Sequence, residues 1–105
     1  GLFSRLVVKE RRYTILIDRV GSLLRIKNKE HTFDLMDISP IVENYKKLYL
    51  KHVDVSGKTV IDVGGYMGVS AVIFAKDGKA GRVIVYELHP VFQKYIQQNI
   101  KLNNL

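Results

Sequence analysis

The run Val60-Ile61-Asp62-Val63-Gly64-Gly65-Tyr66-Met67-Gly68 constrains this chain more than any other stretch. An apolar strand carries an acid near its end, breaks into a glycine turn and leads into an apolar-periodic segment. Such a turn presents bare backbone and a helix N-terminus to a nucleotide-like ligand at the carboxyl end of a strand. The pattern is D-x-G-x-x-x-G, and its spacing decides which ligand fits.

Three glycine motifs compete. The dinucleotide fingerprint G-x-G-x-x-G requires further glycines where this chain has Tyr66 and Val69. Gly57-Lys58-Thr59 looks like the tail of a P-loop, but the first P-loop glycine would fall on His52, and Lys58-Thr59 lead into a strand rather than a helix. Both fail on spacing.

What survives resembles motif I of the S-adenosylmethionine-dependent methyltransferases. Three segments together, Thr59-Val-Ile-Asp-Val-Gly-Gly-Tyr-Met-Gly68, Val83-Ile-Val-Tyr-Glu-Leu-His-Pro90 and Gln98-Asn-Ile-Lys-Leu-Asn-Asn-Leu105, resemble the FkbM family of these enzymes. The resemblance covers about residues 57–105, and residues 39–56 fit the family's run-in helix more loosely. It implies an α/β fold: the first β-α-β-α half of a Rossmann-like class I methyltransferase sheet, preceded by an antiparallel β-hairpin and a helix. It also implies S-adenosylmethionine as cofactor and O-directed methyl transfer as the reaction of the full-length enzyme. The implied cofactor-binding residues are Asp62, Gly64, Gly65, Tyr66, Gly68 and Glu87. Among them, Asp62 would help hold the amino-acid end and Glu87 the ribose.

Physical roles for these residues follow independently. Gly64 lacks a Cβ where a ligand must approach the backbone, and it takes positive φ without strain. Gly68 permits close packing of the next helix, expected over Tyr66 to Lys76 with Gly78 as a stop signal. Glu87 ends the strand Arg82–Tyr86, nineteen residues after Gly68. An ionised carboxylate only accepts hydrogen bonds, which suits two vicinal ribose hydroxyls. The plainer alternative makes Asp62 a turn carboxylate and the glycines parts of a tight turn. Tyr66 and Met67 are also compatible with packing under the helix, and His89 before Pro90 reads as a turn residue.

A helix follows over about Pro90 to Asn103, with proline at its first position and Val91, Phe92, Tyr95, Ile96, Asn99 and Ile100 on one face. The chain then stops where the family's third strand would begin. The expectation is a truncated cofactor-binding half that is inactive alone, with no catalytic residue assigned and the acceptor unspecified. A two-stranded parallel sheet is poorly covered. The strand around Val60–Val63 should therefore either pair with the N-terminal strands or expose an edge that favours self-association.

The N-terminal region, residues 1–38, reads as strands over Arg12–Asp18 and Ser22–Asn28 joined through Gly21, with a third around Thr32–Leu35. Leu24 and Ile26 alternate with Arg25 and Lys27, giving a dry and a wet face. Residues 39–56 hold a helix begun by Ser39-Pro40 with a face of Ile41, Val42, Tyr45, Leu48 and Tyr49, then a linker. Residues 1–31 carry eight Lys/Arg against three acids, within a whole-chain charge of +7. The alternative function class is thus a non-catalytic module that binds nucleic acid or another anion through this basic hairpin. Aromatic residues are not interleaved with the basic ones, which disfavours single-strand binding.

There are no cysteines, hence no disulfide framework and no thiolate metal site. His31, His52 and His89 show no metal-ligand spacing, and no metal is expected. No apolar run approaches membrane-span length and no signal-peptide layout is visible, so the expected location is cytoplasmic.

Overall fold

The computed structural model describes residues 6–10, 13–37, 39 and 44–105. Strands β1 (Leu6–Glu10), β2 (Tyr13–Val20), β3 (Leu23–Lys27) and β4 (Thr32–Leu35) form a four-stranded antiparallel sheet in sequential order. Strands β2 and β3 join through Gly21, as the sequence predicts, and this glycine takes φ 59. Strand β1, paired to β2 from Leu6↔Ile17 to Glu10↔Tyr13, was not predicted. Its apolar run is short and ends in charges, and neither residue between Glu10 and Tyr13 is a glycine or an asparagine.

Helix α1 spans Tyr45–Leu50. Asn44, at φ 53, is its N-cap, and the Asn44 Oδ1 accepts from the Lys47 N–H at 3.3 Å. A left-handed residue there prevents one unbroken helix from running on from Ser39. The expected Pro40 start, with Ile41 and Val42, lies outside the described residues. Tyr45 and Tyr49 pack against the core, whereas Leu48 is exposed, contrary to the expected face.

The second half is a β-α-β-α unit. Strands β5 (Thr59–Val63) and β6 (Arg82–Tyr86) pair in parallel from Thr59↔Arg82 to Val63↔Tyr86. Helix α2 (Val69–Val72) between them continues into a π-helical turn over Ile73–Asp77. The helix thus begins three residues later than expected, because Tyr66 and Gly68 take φ 49 and 90 and cannot be helical. Gly78 is its C-cap at φ −76, the left-handed conformation falls on Lys79 at φ 54, and glycine is required at 78 for space. A Cβ there would lie 2.6 Å from Val55 Cγ2 and 2.8 Å from the Phe74 carbonyl oxygen. Helix α3 spans Pro90–Leu102, with Pro90 in the first turn.

One hydrophobic cluster joins the halves: Ile17, Leu23, Ile26, Phe33 and Leu35 from the antiparallel sheet meet Met67, Val69, Val72 and Ile73. Each fully buried side chain of this size contributes about 1.5–3 kcal/mol. Among the described residues strand β5 pairs with β6 and not with the N-terminal strands, so of the two expectations for it the unpaired edge is the one observed. On one face of this pair Ile61, Val63 and Tyr86 are 63%, 77% and 59% exposed.

The edge of β4 is closed differently. Helix α3 lays the side chains of Asn99 and Asn103 against the backbone of Asp34 and Thr32. The predicted buried face of α3 holds at Ile96 and Asn99, while Val91 is exposed. No helix among the described residues is long and apolar enough to cross a membrane.

Candidate functional site

Strand β5 ends at Val63, and the chain then turns through three residues with positive φ: Gly64 at 75°, Tyr66 at 49° and Gly68 at 90°. The Tyr86 carbonyl at the end of β6 receives the Gly64 N–H at 2.8 Å and the Gly65 N–H at 3.3 Å. The turn is thereby hung on the neighbouring strand. The Gly68 N–H closes it on the Gly65 carbonyl at 2.9 Å.

Each glycine has a separate reason. A Cβ at Gly64 would meet nothing within 4 Å, so this position is open space, and its φ alone favours glycine. A Cβ at Gly65 would sit 2.2 Å from Val85 Cγ1. At Gly68 it would lie 3.1 Å from the Ile96 Cα, so Gly68 admits α3 rather than the helix that directly follows it. That corrects the packing role expected for this residue.

Glu87, just beyond β6, reaches back to the turn. Its Oε1 accepts from the Tyr66 N–H at 3.0 Å and its Oε2 from the His89 N–H at 3.0 Å. These bonds, led by the one from His89, hold its carboxyl below the usual carboxylate range. The Gln93 amide donates to the Glu87 carbonyl at 2.6 Å. His89 caps α3, its Nδ1 accepting from the Val91 N–H at 3.2 Å, which is the turn role read from the sequence.

Asp62 is partly buried on β5, and its Oδ2 accepts from the Ser70 hydroxyl at 2.5 Å. A cavity of about 270 Å³ opens beside the turn, lined by Gly64, Gly65, Tyr66, Met67, Val69 and Ser70 on one side. Leu35, Met36, Asp37, Ser39, Tyr45 and Tyr49 line the other. Of the six residues expected to contact a cofactor, Gly64, Gly65 and Tyr66 line this cavity. Gly68 packs behind it, Asp62 is joined to it through Ser70, and Glu87 braces the turn from outside.

Sequence reasoning did not find the opposite wall. Asp37 falls in the region read as the N-terminal strands and Tyr45 and Tyr49 in the connecting helix, and none of the three is among the residues expected at the site. The Tyr45/Tyr49 spacing of four residues on a helix was the available signal, since it stacks two rings on one face. Their ring centroids lie 5.5 Å apart, edge to face.

A second cluster also escaped the sequence. Glu30, His31 and Asp77 bring their ligand-type atoms within 4.8 Å of one another. His31 Nε2 lies 2.7 Å from Asp77 Oδ2. The ammonium of Lys46 stands among them, 3.0 Å from Glu30 Oε2 and 3.8 Å from Asp77 Oδ1. It lowers the Glu30 pKa by hydrogen bonding. This cluster is an ion-pair junction between the β3–β4 loop, α1 and the π turn. The basic hairpin likewise spends one charge internally: Arg25 forms a bidentate pair with the fully buried Asp34, at 2.8 and 2.9 Å.

Comparison with protein-family models, with curated proteins and with solved structures finds no match.

Proposed function

We propose that the turn Asp62–Gly68, the cavity beside it and Glu87 form the cofactor-binding part of an FkbM-like, S-adenosylmethionine-dependent methyltransferase. The observation that carries this reading is the bond from the Tyr66 N–H to Glu87 Oε1. It joins the end of β6 to the glycine turn after β5. In open α/β sheets, ligands bind outside the carboxyl ends of adjacent parallel strands.

The chemistry of each part suits this ligand. Gly64 offers uncovered backbone, and the Glu87 carboxylate retains acceptor capacity beyond the backbone N–H groups it already holds. A sulfonium cofactor carries its own electrophile, so the protein's part is to bind and orient it. Methyl transfer, to an acceptor oxygen if the family resemblance holds, is the reaction class proposed.

Calorimetric titration of the chain with S-adenosylmethionine and with NAD tests the reading. Saturable binding of the first and none of the second is expected. Preferential binding of NAD would contradict it.

A further inference from the structure

The cavity beside the glycine turn has a charge pattern unlike the chain around it. The chain has 17 Lys/Arg against 10 Asp/Glu, yet the described residues lining this cavity include no lysine, arginine or histidine. They include one carboxylate, Asp37, the hydroxyls of Ser39 and Ser70, and the rings of Tyr45 and Tyr49.

These groups are held in place. The Ser39 N–H donates to Asp37 Oδ1 at 2.8 Å, and the hydrogen bonds from Ser39 keep the Asp37 carboxyl below its usual range. Tyr49 packs on Phe74 with ring centroids 5.5 Å apart, which fixes the tyrosine pair from the core side. An anionic group such as a phosphate would meet a carboxylate here with no lining cation to offset it. A cationic group would meet that carboxylate and two aromatic rings. Asp62, the residue expected to face the ligand's amino-acid end, is instead turned to Ser70 and does not line the cavity.

We infer that Asp37, with Tyr45 and Tyr49, receives the positively charged group of the ligand, so that the site selects cationic adenosine derivatives over neutral ones. The inference rests on the reading given under Proposed function. It makes the end of the N-terminal region and helix α1 a wall of the cofactor site.

The test uses the whole chain, as wild type and as Asp37→Asn and Asp37→Glu. Each is titrated with S-adenosylmethionine (sulfonium and ammonium), S-adenosylhomocysteine (ammonium only) and 5′-methylthioadenosine (neither). Asp37→Asn should weaken S-adenosylmethionine about tenfold or more and leave methylthioadenosine within about twofold, as expected for one charge-assisted contact. Asp37→Glu should recover most of the loss. An equal loss for S-adenosylhomocysteine assigns the ammonium to this wall, and a loss for S-adenosylmethionine alone assigns the sulfonium; either result supports the inference. Unchanged S-adenosylmethionine affinity in Asp37→Asn, or equal losses for all three ligands, overturns the inference alone. If wild type binds none of the three, the cofactor reading falls with it.

Discussion

The Asn99 side chain treats Asp34 as a neighbouring β-strand would: its Oδ1 accepts from the Asp34 N–H at 2.7 Å, and its Nδ2 donates to the Asp34 carbonyl at 3.0 Å. Asn103 repeats the arrangement at Thr32, at 3.0 and 2.7 Å. Four residues of helix rise about 6 Å and two residues of strand about 6.7 Å, so the two repeats match. The same Asn99 Nδ2 also donates to the Met67 carbonyl at 2.7 Å, which ties the glycine turn to the antiparallel sheet.

Asn99→Ala should therefore be among the most damaging single changes. It would leave a buried N–H and two buried carbonyls short of partners, at a cost of about 3–4 kcal/mol. Urea unfolding of wild type and variant measures this. A loss below about 1 kcal/mol would mean that water or a shifted helix replaces the amide.

Gly64 and Gly65 of the turn should separate by mechanism. Gly65→Ala collides with Val85 and should lose about 1–3 kcal/mol from overpacking. Gly64→Ala has open space and bears only the left-handed backbone strain, about 1–2 kcal/mol. On the proposed cofactor reading it should nevertheless weaken S-adenosylmethionine more than Gly65→Ala does once both are folded, because its added methyl would enter open space at the cavity lining. Thermal melts paired with ligand titrations distinguish the two effects.

Acidification should undo the brace on the turn. The folded-state pKa of Glu87 is depressed, so its contribution is present above the unfolded value and is lost as pH falls through the lower folded one. Between about pH 5 and 8 the Tyr66 amide should show constant protection from hydrogen exchange, with protection falling below about pH 4. In Glu87→Gln this acid-side fall should be absent.

The apolar face of the parallel pair gives a prediction about association. Ile61, Val63 and Tyr86 are largely exposed, and contiguous apolar patches of this kind promote contacts between molecules. Sedimentation velocity over a concentration series should show reversible self-association of wild type and less of it in Val63→Lys. A mass independent of concentration in wild type would contradict this.

The elements with a clear period were legible in the sequence. Strand β3 alternates, β5 and β6 are short apolar runs bounded by glycine, and α3 carries its proline and its apolar face. What stayed hidden depends on contacts between distant segments. Asn99 and Asn103 look like ordinary polar positions until β4 lies beside them. Asp34, a charged residue in a short strand, is 0% exposed, with Arg25 and Gln98 both bonded to its carboxylate. The left-handed Tyr66 delayed the helix because non-glycine residues seldom take that conformation, so the sequence offers no signal for it. Half of the cavity was invisible for the same reason as the asparagines: Asp37 and Tyr45 meet the turn only in three dimensions.

The most direct test of the central claim is a two-dimensional ¹H–¹⁵N NMR titration of the chain with S-adenosylmethionine. The account predicts that shifts concentrate on the amides of Gly64 to Gly68, on Glu87 and on the opposite wall at Asp37, Tyr45 and Tyr49. Shifts confined to the basic β2–β3 hairpin, or no shifts at saturating cofactor, would contradict it.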